Sequence, residues 1–214
     1  MKIINNKLTS ELNIRQENNF PIDGINFIDI TPLIINKNVF SEIISKFVIE
    51  LKDKNIDYIV APEARGFLFG SAIASKLNIG LIPVRKIGKL PKTSVEVNFD
   101  YEKEYGKDTL ELPKLVNEKY DGKRYYIIDD IYATGNTMKA IKNAIEDLGG
   151  IIVGEGVILN IKELNNNDKL FSLIDVNEWK NMFWIKHIFS FHIFFLFIMD
   201  ILSNLPTLET LSTF

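Results

Sequence analysis

The stretch YYIIDDIYATGNT, residues 125–137, decides how this sequence is interpreted. It begins as an apolar run typical of a buried strand and ends in small polar residues typical of a loop. Asp129 and Asp130 stand side by side at the junction. In a parallel α/β sheet, ligands bind outside the carboxyl ends of the strands, so two carboxylates at such an end predict a binding site.

Strand and helix patterns alternate around this stretch. Apolar residues at helical spacing predict helices at 39–53, 66–77 and 137–148, the first with Asn38 as its N-cap. Short apolar runs predict strands at 57–61, 80–84, 125–128 and 151–161. Residues 95–112 mix alternation with charge, which predicts an exposed hairpin or flap. The alternation predicts an α/β fold, with a mostly parallel sheet flanked by helices.

The loop after the aspartates suits a phosphate. Its small residues let backbone N–H groups approach an anion, and the N-terminus of the next helix adds a favourable dipole. Hydroxyl groups in the loop can donate as well, and Asn tolerates left-handed backbone. The two carboxylates can accept hydrogen bonds from ribose hydroxyls, so the stretch describes a ribose 5-phosphate site. The alternative is an Asp N-cap before an ordinary turn. The loop residues are Ala133, Thr134, Gly135, Asn136 and Thr137.

Composition narrows the class of protein. The chain has 214 residues, 25% of them charged, and a net charge of −3, which suits one globular domain and does not suit a nucleic-acid binder. There is no cysteine, and residues 1–20 lack the pattern of a signal peptide, which favours a cytoplasmic location. The histidines are His187 and His192. A Ser-His-Asp triad, a Cys-His pair and a zinc site are thus excluded through residue 186.

The same stretch resembles the 5-phosphoribosyl 1-pyrophosphate (PRPP) signature of the type I phosphoribosyltransferases. Four more motifs match in order, and together they resemble the adenine phosphoribosyltransferases over about residues 20–173. The resemblance implies the type I fold, with a small N-terminal hood and a mobile flap, for residues 1–178. The four motifs are NFIDITPL (26–33), APEARGFLFG (61–70), VRKIGKLP (84–91) and EYGKDTLEL (104–112).

The resemblance implies that adenine and PRPP give AMP and pyrophosphate, a purine-salvage reaction, with Mg²⁺ bound through PRPP and not directly by the protein. It implies a homodimer, because part of the basic loop reaches the partner subunit's site.

The resemblance also implies a role for each site residue. Asp129 and Asp130 would hold the ribose, and residues 133–137 would hold the 5-phosphate. Glu104 would be the catalytic acid or base in the flap, with Tyr105 helping to close it. Pyrophosphate would contact Arg65, Arg85, Lys86 and Lys89, and adenine would contact Asn26, Phe27, Ile28 and Ile161.

Three residues depart from the family pattern. Ile28 stands where arginine is usual, Asn160 where glutamate is usual, and Asn136 where glycine is commoner. The family also has a non-proline cis peptide before the strand-end arginine, which here would join Glu63 to Ala64.

Two other functions stay open. One is a phosphoribosyltransferase for another purine or for orotate. The other is a non-enzymatic PRPP-binding regulator, which would usually add a DNA-binding domain. About twenty residues precede the first motif, too few for a winged helix, and Glu104 is retained, so we favour the enzyme.

Residues 179–214 differ in composition from the rest of the chain. They hold both tryptophans, both histidines and seven of the fifteen phenylalanines. A membrane helix needs roughly twenty apolar residues, and residues 183–202 reach that length only by including Lys186, His187 and Asp200. We therefore favour a helix packed on the dimer, or an extension introduced by gene prediction, over a membrane anchor.

A chain truncated after Asn177 is expected to be soluble, dimeric and fully active. The full chain should be less soluble, because its phenylalanine-rich tail would form a large apolar patch. Sedimentation and activity of both forms, expressed side by side, check this. An inactive truncated chain would make the tail part of the enzyme, and recovery of the full chain in washed membranes would favour an anchor.

Overall fold

The computed structural model describes residues 14–18, 26–103 and 106–176. Two short strands, β1 (Arg15–Asn18) and β2 (Asn26–Asp29), pair antiparallel as a separate two-stranded sheet, which corresponds to the expected N-terminal hood. The helices are α1 (Thr31–Ile35), α2 (Lys37–Leu51), α3 (Arg65–Leu77) and α4 (Asn136–Asp147). Short 3-10 turns occupy Lys92–Ser94 and Lys162–Leu164.

The main sheet has seven strands in the order β5-β6-β4-β3-β7-β8-β9. The five strands from β4 to β9 in that order run parallel, and the β5–β6 hairpin pairs antiparallel with the β4 edge. This confirms the predicted mostly parallel α/β sheet. The strands are β3 (Tyr58–Pro62), β4 (Gly80–Lys86), β5 (Val95–Lys103), β6 (Gly106–Pro113), β7 (Arg124–Tyr132), β8 (Ile151–Ile161) and β9 (Phe171–Val176).

Helices cover both faces of this sheet because the central strands are apolar on both sides. Ile141 and Ile145 of α4 pack in one core with Val60, Tyr125 and Ile127. On the opposite face α3 lies so close to β3 that a Cβ placed on Gly70 would stand 2.7 Å from the Ala61 Cβ. The carboxyl ends of β3, β4, β7 and β8 therefore meet at one edge, between the two helical layers.

Several boundaries differ from those expected. The N-cap of α2 is Asn36, not Asn38, since the Asn36 side chain accepts from the N–H groups of Asn38 and Val39 at 3.1 and 3.3 Å. Strand β7 continues through both aspartates to Tyr132, so the carboxylates lie within the strand and not after it. Strand β9 was not anticipated, because its short run gives little periodic signal.

The expected exposed hairpin is instead partly built into the core. Its second strand, β6, pairs with β4, with Arg85 opposite Glu111. Tyr101, Leu110 and Leu112 are all less than 10% exposed and pack in the same core as α4. The alternation of apolar side chains thus marks a buried face, and the charges lie on the other face. The peptide between Glu63 and Ala64 is cis, as expected. The tail from residue 177 lies outside the described residues, so the proposed division at residue 178 stays a prediction.

Candidate active site

Asp129 and Asp130 occupy consecutive positions on β7 and therefore point to opposite faces of the sheet. The Asp129 Oδ1 atom accepts a hydrogen bond from the Asp130 N–H at 2.8 Å. Gly66, in the first turn of α3, lets that helix approach, because a Cβ there would stand 3.0 Å from the same Oδ1 atom. The missing side chain at Gly66 is what allows α3 to pack beside the carboxylate pair.

Arg65 joins the carboxylate pair to the N-terminal strands. Its Nε lies 2.9 Å from Asp130 Oδ2, its Nη1 donates to the Ile28 carbonyl at 3.2 Å, and its guanidinium stands 5.3 Å from the centre of the Phe27 ring. Asp130 is 4% exposed, and its Oδ2 receives no well-directed hydrogen bond from any residue the structure describes. This oxygen is thus paired by charge alone and keeps its capacity to accept a hydrogen bond.

The environment of Asp129 disfavours its charge. Burial raises the pKa of this carboxyl well above its usual value, and the negative charge of Asp130 raises it further. The N–H of Asp130 and the charge of Arg65 act in the opposite direction but are weaker. Although Asp129 keeps some solvent exposure, a like charge on the next residue supports the upward direction.

The loop between β7 and α4 is built around a glycine in the left-handed conformation. Gly135 has a φ of 82° and caps α4, and a Cβ there would collide with the Tyr132 ring, so this position requires glycine. The N-terminus of α4 has no side-chain cap among the described residues and no acidic residue in its first turn. Asn136 is the first helical residue, so the left-handed position falls on Gly135 and not on Asn136.

Basic side chains gather at the end of β4. Arg85 Nε donates to Glu63 Oε2 at 2.9 Å, and the same oxygen accepts from the Lys86 N–H at 3.0 Å. The Lys86 N–H, together with the Arg85 guanidinium, lowers the pKa of Glu63, although burial opposes the change. Lys86 and Lys89 are exposed beyond this pair. One carboxylate therefore fixes the start of the basic loop and leaves its lysines in solvent.

A second carboxylate fixes the far side of the same loop. Glu111, on β6, is 4% exposed and accepts from the N–H groups of Gly88 and Leu90 at 3.0 and 3.1 Å. The sequence does not predict this residue, because one more acid in a charged hairpin gives no signal of its own. Its role here is to shape the loop that carries Lys89.

Comparison with known proteins identifies the family. A model described as the phosphoribosyl transferase domain matches residues 33–186. An adenine phosphoribosyltransferase of Clostridium acetobutylicum is 48% identical over 157 residues, which is 73% of this chain and 89% of that protein. The chain belongs to the adenine phosphoribosyltransferase family.

Solved structures of the family share the fold. An adenine phosphoribosyltransferase from Thermoanaerobacter pseudethanolicus superposes with a TM-score of 0.71 at 37% identity, covering 79% of this chain and 99% of that one. The Saccharomyces cerevisiae enzyme, complexed with an imino-altritol bisphosphate and adenine, gives a TM-score of 0.66 at 36% identity, covering 78% and 97%. The sequence resemblance is thereby confirmed.

The predicted base-binding residues of this family member stand on two sides of the β7 end. Arg65 connects Phe27 and Ile28 to the end of β7, because its guanidinium lies over the Phe27 ring and donates to the Ile28 carbonyl. The Ile28 residue is 3% exposed, and its contact with the arginine is made by the carbonyl and not by the side chain. Ile161, which is 4% exposed, ends β8 one residue after Asn160, the register partner of Tyr132. The side chain of Asn26 lies outside the described part of the structure. Phe27 and Ile28 are thus connected to the carboxylate pair through Arg65, whereas Ile161 lies farther along the neighbouring strand.

Two predicted residues lie outside the described part of the chain. Glu104 and Tyr105 fall between β5, which ends at Lys103, and β6, which begins at Gly106. Their roles stay predictions. A cleft of about 420 Å³ lies between β5 and α4, but Asn136 is the one predicted site residue that lines it, so it is beside the candidate site and not at it.

Two other kinds of site are absent from the described ranges 14–18, 26–103 and 106–176. No group of three or more His, Cys, Asp or Glu side chains there could hold a metal ion. None of the helices in those ranges is long and apolar enough to cross a membrane.

The polar network behind the loop of residues 133–137 could not be predicted from the sequence. The Nδ2 atom of Asn165 lies 2.9 Å from the Ala133 carbonyl. Asn165 belongs to the run NNND after β8, which is typical of an ordinary surface loop. Only the fold, which returns this run to the end of β7, could show the contact.

The Asp129→Asn variant is expected to be more stable than the wild type at pH 7.5 without ligand, by on the order of 1 kcal/mol or about 2–4 °C in Tm. Because the folded state raises the pKa of Asp129, it binds the proton more tightly than the unfolded chain. Stability is therefore lost as pH rises from the usual aspartate pKa through the folded one. Asparagine removes the charge and keeps the acceptor for the Asp130 N–H.

Thermal unfolding of both proteins between pH 4 and pH 8 checks this, with the variant's advantage shrinking toward pH 4. Asp53→Asn, at an exposed aspartate after α2, is the matched control and should change nothing. A wild type as stable as Asp129→Asn at pH 7.5 would show that the carboxylate is not destabilising.

Proposed function

We propose that this protein is an adenine phosphoribosyltransferase, which converts adenine and PRPP to AMP and pyrophosphate. The observation that carries the proposal is the placement of two adjacent carboxylates at the end of β7, directly before a glycine-capped helix N-terminus. The names of the similar proteins support adenine as the base.

The ribose 5-phosphate is held by groups on either side of the β7 end. The 5-phosphate accepts from backbone N–H groups of residues 133–137 and gains from the dipole of α4. The ribose hydroxyls donate to Asp129 and Asp130. Because ribose hydroxyls bind the ionised carboxylate better than the protonated one, PRPP affinity should rise as pH rises through the raised pKa of Asp129.

Arg65 has a second role in this proposal. In the structure it covers Asp130 Oδ2 while its own side chain stays 40% exposed. The pyrophosphate of PRPP is a stronger anion than one carboxylate, so Arg65 turns toward it and frees Oδ2 for a ribose hydroxyl. Arg85, Lys86 and Lys89 add the remaining positive charge around the leaving group.

Displacement at C1 of the ribose has oxocarbenium character, as in glycoside chemistry. Glu104, carried by the β5–β6 hairpin, exchanges a proton with the adenine ring, and Tyr105 helps to exclude water that would hydrolyse PRPP. Adenine lies between Phe27 and Ile161, with backbone groups near Asn26 and Ile28 reading its edge.

Magnesium fits this site through its substrate, because Mg²⁺ takes oxygen ligands and substrate phosphates can supply them. Asp129 and Asp130 stay assigned to the ribose hydroxyls, so the ion would need no direct protein ligand. When bound through PRPP, the ion neutralises charge on the leaving pyrophosphate. The protein's own part is to hold the ribose so that C1 faces the base.

A homodimer in the cytoplasm completes the proposal. Leu68 on α3 and Ile87 in the basic loop are 44% and 56% exposed, and the Arg85 guanidinium over the Phe67 ring, 5.8 Å from its centre, links these two regions. Exposed apolar side chains around a basic loop are suited to an interface between copies. That arrangement would also bring the basic loop to the partner's site.

Asp129→Asn and Asp130→Asn should each weaken PRPP binding by about tenfold to a hundredfold, since a hydrogen bond to a charged group contributes about 1.5–3 kcal/mol. Calorimetric titration with Mg²⁺ and PRPP measures this, and Asp53→Asn should bind as the wild type does. If both variants bind PRPP normally, the assignment of the ribose site fails.

Glu104→Leu should lower kcat by about a hundredfold or more, the usual scale for a positioned acid or base. Its PRPP affinity should change little, because the loop and the aspartates carry that binding. Steady-state kinetics beside calorimetry separates the two effects, and Glu102→Leu, two residues away at an exposed position of β5, is the control. Unchanged turnover in Glu104→Leu would move the acid–base role elsewhere in the flap.

A further inference from the structure

The Asn165 side chain contacts two proposed parts of the site. One is the loop of residues 133–137, proposed to hold the 5-phosphate and called the phosphate loop below; the other is Ile161, proposed to contact adenine. The Asn165 Nδ2 atom is 2.9 Å from three oxygens, which belong to the Ala133 carbonyl, the Ile161 carbonyl and the Asn160 side chain. Ala133 begins the loop after β7, and Ile161 ends β8. One amide therefore ties together the two segments proposed to hold the 5-phosphate and the adenine.

The amide of Asn165 is held in turn by a buried polar chain. Asn160 is fully buried and donates through its Nδ2 to Asp175 Oδ1 at 3.2 Å. The same Asp175 oxygen accepts from the Ser172 hydroxyl at 2.6 Å. Because Asn160 must donate to Asp175, its oxygen is left to accept from Asn165, and this fixes the direction of every hydrogen bond in the chain.

The loop is supported at a second point by Asn167. Its N–H donates to Asn165 Oδ1 at 3.2 Å, and its side chain donates to the Tyr132 hydroxyl at 3.2 Å. Tyr132 is the residue whose ring occupies the space beside Gly135. The turn between β8 and β9 thus contacts the phosphate loop both at its start and next to its left-handed glycine.

We propose that Asn165 is a positioning residue for PRPP, which sets the Ala133 carbonyl and so the direction of the N–H groups that follow it. The inference rests on the proposed function, since it assigns the loop to the 5-phosphate. Asn165 touches no substrate itself and acts through the backbone of the loop.

This role requires an amide and not a carboxylate. Three oxygens converge on Nδ2, and a carboxylate in its place would repel all of them. It also accounts for the asparagine at position 160, where the family usually has glutamate. With Asp175 already on the neighbouring strand, a carboxylate at 160 would face a second one, whereas the amide can donate to it.

Asn165→Asp tests the proposal with almost no change in shape. It keeps the acceptor for the Asn167 N–H and removes the donor to Ala133. We expect the KM for PRPP and its calorimetric Kd to rise about tenfold, with kcat within about threefold of wild type, as for the loss of a buried donor. Asn165→Ala should do the same. Asn166→Asp is the matched control, because its side chain is exposed in the same turn, and it should leave both constants unchanged.

A purely structural role would lower Tm in both Asn165 variants and leave the PRPP constants of the folded protein within twofold of wild type, which would overturn the inference. If neither variant folds, Asn167→Ala decides, with a KM for PRPP about threefold higher expected and an unchanged KM contradicting the proposal. If the wild type turns over PRPP and the Asn165 variants have unchanged PRPP constants, only this inference is refuted. If the wild type does not bind PRPP, both the proposed function and the inference are refuted.

Discussion

The ion pair between Arg65 and Asp130 is the contact on which the rest of the site depends. Two carboxylates on consecutive residues repel each other, and burial near the strand end strengthens that repulsion. The guanidinium 2.9 Å from Asp130 offsets part of it. Because Arg65 also contacts the Ile28 carbonyl and the Phe27 ring, the same cation places β2 against the end of β7.

The other parts of the site are arranged around that strand end by backbone geometry. Gly66 lets α3 approach the carboxylates, and Gly135, with its left-handed backbone, begins α4 shortly after the end of β7. Carboxylates on neighbouring elements, Glu63 and Glu111, shape the basic loop by accepting backbone N–H groups and not by neutralising its lysines. Lys86 and Lys89 therefore stay exposed on a loop whose backbone is held in place.

Much of this could be predicted from the sequence. The periodicity of apolar residues predicted the alternation of strands and helices, because that signal is local. The motif around Asp129 predicted a candidate site at the end of β7, and its two carboxylates lie there. Residues whose role depends on distant partners escaped prediction. Glu111 became visible only through its pairing beside β4, and Asn165 only through the return of the β8–β9 turn to Ala133. The hairpin was expected to be exposed because it carries many charges, whereas its leucines lie together on a buried face that only the fold shows.

The most direct test of the account is PRPP-dependent conversion of labelled adenine to AMP by the full chain with Mg²⁺, with hypoxanthine and guanine assayed alongside. The choice of base is tested because Ile28, which is predicted to contact adenine, and Asn160, which precedes the predicted contact Ile161, both depart from the family pattern. The account predicts AMP and pyrophosphate in equal amounts, and far slower turnover of the other two bases. Preferential formation of IMP or GMP, or PRPP binding without transfer to any of the three bases, would contradict it.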